Sequence, residues 1–432
     1  MAKTLHAIVD QRKAGKPLGL PSYCTANLPS LRAIMRTYAK RWPERPLLIE
    51  ATANQVNQFG GYTGMKPVDY RAIIEKKASE CGLSLEQLIL GGDHLGPLTW
   101  QQLPEEEAMA HAHELLRQFT AAGFKKIHLD TSMRLGSDDP GKPLPVEVCA
   151  RRGAELFHSC LEVLKEQQIP ESEWPEFVIG SEVPVPGGVS GMISSLEVTK
   201  AEAFEETLKA YREAFARVGV GEAFKHVVAV VVQPGVEYSD HNAAVYRRDK
   251  AIELMNALKR EKGLMFEGHS TDYQPLSALR EMIEDGVGIL KVGPMITFAY
   301  REALYALAEM EKWLVPGNEA SKLIEVCENV LCDDPSQWQK YYHGVERELL
   351  LARHFSYSDR IRYYLPRSAI DQAIQKLMQN LRTVKLPQTL LSQYLPLEAE
   401  LGLTEPEALI DAHIARVCER YEAATHPEMG EN

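Results

Sequence analysis

Eight short apolar runs alternate with longer amphipathic stretches along this chain of 432 residues, and that alternation limits the folds open to it. The runs are PLGLPSYCTA (17–26), PLLIEAT (46–52), LILGGDH (88–94), KIHLDTS (126–132), FVIGSEV (177–183), VVAVVVQPG (227–235), MFEGHSTD (265–272) and GILKVGP (288–294). Between them lie helical patterns such as EEEAMAHAHELLRQFTAAG (105–123), with acids in the first turn and a glycine after its end, as capping and dipole rules expect. Strand and helix in strict alternation call for parallel strands joined by right-handed crossovers, and eight such units close a barrel. The expected fold class is therefore α/β, a TIM (β/α)8 barrel over residues 1–310. Residues 311–432, rich in helix formers, are read as a helical C-terminal extension packed on the barrel.

Polar residues cluster at the C-terminal ends of these runs: Glu50, Asp93, His94, Asp130, Ser132, Glu182, Gln233, His269, Ser270, Asp272 and Lys291. In a barrel those ends converge on one mouth, where the active sites of this fold sit. One such residue alone reads as a turn residue at the surface. So many together are costly to bury unless they are paired, bound to metal or solvated in a cleft.

Three segments sharpen that reading. GGDHLGP (91–97) joins flexible glycines to an Asp-His pair whose side chains point in different directions on a strand, one toward metal and one toward substrate. GHSTDY (268–273) adds His269, and SEVPVPGG (181–188) adds Glu182 before a proline-glycine turn. Two imidazoles and a carboxylate with an open position form a catalytic zinc set, so His94, Glu182 and His269 are the candidate metal ligands. NQVNQFGGYTGM (54–65) offers amides for sugar hydroxyls at Asn54 and Gln58, and backbone nests for phosphate at Gly60 and Gly61, unless its glycines only turn the chain. Lys291 in KVGP is a candidate counter-charge for phosphate. In SDRIRYY (358–364) Ser358 reads as a helix cap with Arg360 and Arg362 on the surface. The alternative folds this segment over the mouth and places Arg360 on a phosphate. His111 and His113, two apart on a helix, read as surface residues.

A net charge of −12 argues against nucleic-acid or anionic-membrane partners. The N-terminal segment carries no long apolar run, so neither signal peptide nor anchor is expected, and no stretch approaches the ~20 apolar residues of a membrane span. Seven scattered cysteines without a CxxC pair fit reduced thiols in a cytoplasm. No dinucleotide fingerprint follows a strand.

The strings IEATANQVNQFGGYTGM, ILGGDHLGP, KIHLDTSM, GSEVPVPGG, VVQPGVEY, EGHSTDYQ, LKVGP and SDRIRYYLP resemble the signature blocks of the D-tagatose-1,6-bisphosphate aldolase accessory (Z) subunit family, GatZ/KbaZ. The resemblance runs from about the first strand to the C-terminal helices. It implies a cytoplasmic TIM barrel of galactitol or amino-sugar catabolism that handles tagatose phosphates and forms homo-oligomers. It also implies either of two roles. One is a non-catalytic subunit that stabilises and activates a separate zinc-dependent class II aldolase subunit. The other is a metal-dependent 4-epimerase that interconverts tagatose 6-phosphate and fructose 6-phosphate, with zinc as the expected ion and manganese, nickel or cobalt as alternatives. The barrel is distantly similar to class II aldolases, where an Asp-His pair matching Asp93 and His94 supplies acid/base and metal ligand, and a late histidine matches His269. The further aldolase histidine falls where this chain has Gln233, and Glu182 is taken as its replacement. Inverting C4 of a ketose calls for breaking and remaking the C3–C4 bond, because the C4 proton is not next to the carbonyl. On that scheme Asp93 is the acid/base, Asp130 and Asp272 bind hydroxyls or orient the histidines, and Lys291 with Gly60 and Gly61 takes the phosphate.

Overall fold

The computed structural model describes residues 4–183 and 196–426. The turn expected after Glu182 lies outside the described residues. Each of the eight apolar runs encloses one strand to within a residue at either end: β1 (Leu20–Cys24), β2 (Leu47–Thr52), β3 (Leu88–Leu95), β4 (Lys126–Leu129), β5 (Glu176–Ile179), β6 (Val227–Val232), β7 (Met265–Gly268) and β8 (Val287–Val292). They pair in parallel, in sequence order, and β8 pairs with β1 to close the barrel. A two-residue antiparallel ribbon, Glu237–Tyr238 with Ala243–Ala244, follows β6 outside the barrel.

The helix after each strand takes its buried face from the amphipathic pattern. The outer ring holds α2 (Leu28–Arg41), α3 (Pro67–Glu80), α4 (Glu105–Ala121), α5 (Val146–Glu166), α6 (Ala201–Arg217), α7 (Arg248–Arg260), α8 (Leu276–Asp285) and α9 (Pro294–Leu314). A preceding helix, α1 (Leu5–Lys13), plugs the N-terminal end of the barrel. Its Leu5, Ile8 and Val9 pack with Leu20, Leu48, Ile89, Val178, Met265 and Ile289 from the strands.

The C-terminal extension contains α10 (Leu323–Asp333), α11 (Glu346–Phe355), α12 (Ser368–Thr383), α13 (Gln388–Tyr394), α14 (Pro396–Glu400) and α15 (Pro406–Thr425). Its last helix returns to the barrel wall. There Glu422 joins Tyr38 and the buried Arg45, and Asp411 accepts from Arg32 at 2.9 Å. Among the described residues no helix is long and apolar enough to cross a membrane.

Candidate functional site

Period-2 alternation sends every second strand residue into the barrel, and toward the C-terminal end those positions turn from aliphatic to charged. Beyond the apolar plug lies an ionic floor of Ser22, Glu50, Lys126, Glu267 and Lys291, all buried. Lys126 Nζ sits 2.9 Å from Glu50 and 2.7 Å from Glu267; Lys291 Nζ sits 2.7 Å from Glu50 and 3.0 Å from Asp93. Ser22 donates to Glu50 at 2.6 Å. Gly91 makes room for this, since a Cβ there would lie 2.7 Å from the Glu50 side chain. Burial works against the charged form of Lys291, yet Asp93 and Glu50 raise its pKa well above the ordinary lysine value. A lysine held protonated in this way is not an amine nucleophile.

Above the floor three imidazoles face one another, with ring centroids 4.9 Å (His94–His269), 5.2 Å (His94–His128) and 5.2 Å (His128–His269) apart. Each is held by a carboxylate: His94 Nδ1 lies 2.8 Å from Asp130, His128 Nδ1 lies 3.0 Å from Asp93, and His269 Nε2 lies 2.8 Å from Glu267. These partners set the tautomers. The His94 amide also comes within 3.2 Å of His128 Nδ1, but a lone pair there would face the Asp93 carboxylate. The Nδ1 proton therefore goes to Asp93. His128 Nε2 is left as a bare lone pair, buried and with no hydrogen-bond partner among the described residues. By the same reasoning His94 presents Nε2 and His269 presents Nδ1. Burial drives the pKa of His269 down to about 4, which keeps it neutral at physiological pH. Burial opposes ionisation of Asp130, yet the hydrogen bond from His94 brings its pKa to about 2.

Ligand atoms of Asp93, His128, Glu267 and His269 all lie within 4.8 Å of one another. Carboxylate-oriented imidazoles with free nitrogens are what a divalent metal takes as ligands, so the residues present fit such an ion. The backbone contributes as well. His94 has φ +47 and Ser270 φ +53, in the left-handed region. In a regular strand Asp93 and His94 would point to opposite faces; the left-handed turn at His94 brings both into the mouth.

The mouth opens into a cavity of about 790 Å3. Asn54, Asp93, His94, His269, Ser270, Asp272, Lys291 and Arg360 line it, as do Cys24, Tyr238 and Arg362. Its roof comes from the C-terminal extension through Gln337, Tyr341, Tyr363 and Ile374. The segment 358–364 thus folds over the mouth, and its arginines do not lie on an open surface. Ser358 caps no helix but joins a buried network with Ser356 and Tyr342, 2.9 and 3.0 Å away.

Several expected site residues are employed elsewhere. Glu182 is exposed at the end of β5, accepts from Thr199 at 2.6 Å, and is not brought to the four-donor group. His128 stands in the mouth instead. Glu50 belongs to the floor and does not line the cavity, because two lysines and a serine take its oxygens. Lys291 reaches the cavity with its charge already matched by two carboxylates. The 54–65 loop is organised by Asn57, whose carbonyl and side-chain oxygens accept from the amides of Gly60 (2.9 Å) and Gly61 (3.1 Å), so those amides are not aimed at the cavity. Gln58 donates to the His111 carbonyl, and Gln233 folds back on the amides of Gly235 and Val236. Ser132 donates to Asp130 at 2.7 Å. Asp272 accepts from the amides of Gly293 and Met295, both at 2.9 Å, and so caps α9; burial raises its pKa to about 6. His111 and His113 are half-buried, one packed against Trp100 and the other 2.7 Å from Ser159.

Fold and site together define a closed (β/α)8 barrel with an imidazole–carboxylate cluster beneath a roofed polar cavity. The chain belongs to the D-tagatose-1,6-bisphosphate aldolase subunit GatZ/KbaZ-like family, whose model matches residues 5–426. It is 41% identical to a Sinorhizobium meliloti protein described as a probable tagatose 6 phosphate kinase, with a TM-score of 0.84 over 94% of this chain and 100% of that one. A fructose-bisphosphate aldolase from Campylobacter jejuni matches at 14% identity and a TM-score of 0.40, over 88% of this chain and 92% of that one.

Proposed function

We propose that the chain is a metal-dependent ketose-phosphate 4-epimerase, acting on tagatose 6-phosphate and fructose 6-phosphate by cleavage and re-formation of the C3–C4 bond. The observation that carries the proposal is the set of three imidazoles, each oriented by its own carboxylate, with the free Nε2 of His128 among them. His128 and His269, with Asp93 and Glu267 close by and His94 facing them, would hold a divalent ion, zinc foremost. Such an ion, when bound, polarises the ketose carbonyl.

The rest falls to the side chains. Asp93 is ionised: burial works against it, but Lys291 and His94 hold its pKa well below the usual carboxylate value. It lines the cavity and is the acceptor for the C4 hydroxyl proton. As that proton leaves, the C3–C4 bond breaks, its electron pair moves toward C2, and C4 becomes an aldehyde. The roof keeps both fragments from water, the aldehyde turns its other face, and the bond re-forms with C4 inverted while Asp93 returns the proton. Asn54, Ser270 and Asp272, which line the cavity, would bind sugar hydroxyls. The test is incubation of isolated, zinc-supplemented chain with tagatose 6-phosphate. Fructose 6-phosphate should form, and His269→Ala should abolish it; no product at any metal loading sinks the reading.

A second reading is favoured by membership of an aldolase-subunit family and by Val345, Leu350, Leu351 and Phe355, exposed on and beside α11. It makes the chain an accessory partner of a class II aldolase. A stable complex with an aldolase subunit, active only as the complex while the isolated chain converts nothing, would establish it.

A further inference from the structure

Three cationic side chains are found among the described residues lining the cavity: Lys291, Arg360 and Arg362. Residues 184–195 contain no lysine or arginine, so that stretch adds none. Lys291 has two carboxylates within 3.0 Å. The two arginines differ. No described carboxylate lies within 4.0 Å of either guanidinium, although Arg360 is 5% exposed and Arg362 half-buried. Their protein contacts are neutral. Arg360 gives its Nε to the Gln337 carbonyl and stacks on Tyr341, 3.4 Å from the ring centre, and its terminal nitrogens make no hydrogen bond to described residues. Arg362 gives Nη1 to the carbonyls of Ser358 and Asp359 and Nη2 to Tyr363.

A pair of guanidiniums drawn largely out of water, with no described carboxylate in ion-pair contact, is an unfavourable arrangement. Their placement is nevertheless enforced. The preceding residue, Asp359, is held at φ +44 and fully buried, bonded by Thr297 at 2.7 Å and Arg301 at 3.1 Å from α9. This clamp ties the short turn bearing both arginines to the helix whose first residues line the same cavity.

We propose that Arg360 and Arg362 form an anion subsite of the cavity, the one its described residues provide, that it takes a phosphate monoester, and that the ligand therefore carries a single phosphoryl group. The assignment rests on the ketose-phosphate reading and deepens it. Two planar forks suit a dianionic, three-oxygen group. Among the described residues a second phosphate would meet no unmatched cation, only Lys291, already paired, and the carboxylates of Asp93, Asp272 and Asp371. A 1,6-bisphosphate is thus the wrong charge for this cavity, and a 6-phosphate the right one.

Calorimetric titration of the zinc-supplemented full chain with fructose, fructose 6-phosphate and fructose 1,6-bisphosphate tests it. The 6-phosphate should bind at least ~100-fold more tightly than fructose, and Arg362→Gln and Arg360→Gln should each weaken it by roughly 10- to 100-fold, the loss expected for one charge-assisted contact, with fructose binding unchanged. Arg362→Lys, which keeps the charge but not the fork, should fall between and serves if the glutamine variants do not fold. Glutamine variants that bind the 6-phosphate as wild type does, or a bisphosphate bound at least ~10-fold more tightly than the monophosphate, would overturn the proposal. Arginine-dependent binding of the 6-phosphate without any epimerisation would instead defeat the catalytic reading and leave the subsite standing.

Discussion

Lys126 is the residue whose removal should expose the energetics of the floor. Its ammonium is fully buried between Glu50 (2.9 Å) and Glu267 (2.7 Å). In Lys126→Met, Glu50 keeps Lys291 at 2.7 Å and Ser22 at 2.6 Å, so the stranded group is Glu267, left with His269 at 2.8 Å. Breaking a buried pair in this way costs about 3–5 kcal/mol, a large part of a typical net stability of about 5–15 kcal/mol. The cost depends on pH in a definite direction. Burial pushes the Glu267 pKa up, but Lys126, then His269, hold it far below the ordinary glutamate value in the native protein. Its stabilising contribution is therefore complete above the unfolded pKa of ~4.3 and is lost only gradually as the pH falls toward the much lower native value. In the variant burial dominates, and a penalty grows wherever the unfolded chain is ionised. The stability gap should be smaller at pH 4, where the variant's penalty has barely begun, than at pH 8, where it reaches its full width, read by urea unfolding followed by circular dichroism. Lys126→Met/Glu267→Gln, which strands no charge, should recover more than half of the loss at pH 8. A gap independent of pH, or a double variant no more stable than the single, refutes the reasoning.

Metal content gives a second set of expectations. His128→Ala should weaken zinc binding by roughly 100-fold or more, and Asp130→Asn, which only loosens the imidazole of His94, by roughly 10- to 100-fold, measured by competition with a chelating dye; unchanged affinity in His128→Ala removes it from the ligand set. His413 supplies a pH dependence of the opposite sign. Burial disfavours its charge, but Glu302 at 3.3 Å and Glu398 at 3.0 Å raise its pKa to about 9. That stability is complete below the unfolded value of 6.5 and is lost as the pH rises through 9, so His413→Gln should cost about 1–2 kcal/mol at pH 6, after screening at exposed Glu302, and almost nothing at pH 10. Equal losses at both pH values contradict this.

The barrel was legible because its signal is local: each apolar run holds one strand, bounded by helices whose periodicity is equally plain. Half of the mouth was legible for the same reason, since Asp93, His94, His269, Ser270 and Asp272 stand at strand ends and do line the cavity. His128, Glu267 and Lys126 were missed because attention to strand ends passes over strand interiors. A signal for them exists. KIHLD alternates polar with apolar, placing Lys126, His128 and Asp130 on one face, where a barrel with an oily centre would show aliphatic residues on both. Glu182, expected among the ligands, is not brought to the four-donor group, because it lies beyond the strand end where the chain turns and accepts from Thr199. The roof had no local signal. Arg360 and Arg362 reach the mouth through Asp359 and Arg301, 58 residues apart, and only tertiary packing makes that contact.

The ionic floor also offers a test of the epimerase reading against the accessory one. Three carboxylates, Glu50, Glu267 and Asp93, share two lysines there, and buried ion networks are commonly no more stabilising than well-packed apolar replacements, which can gain about 1–4 kcal/mol. Glu50→Gln/Lys126→Met/Glu267→Leu leaves Lys291 and Asp93 as a balanced pair while removing the carboxylate that orients His269. The triple variant should therefore match or exceed the native chain in thermal stability, yet lose zinc affinity and epimerase turnover together. Retained ability to activate an aldolase subunit, beside lost turnover, would place the two roles on different surfaces of the chain. A triple variant that loses stability instead would mean that the floor holds the barrel together, and its charges would then say nothing about catalysis.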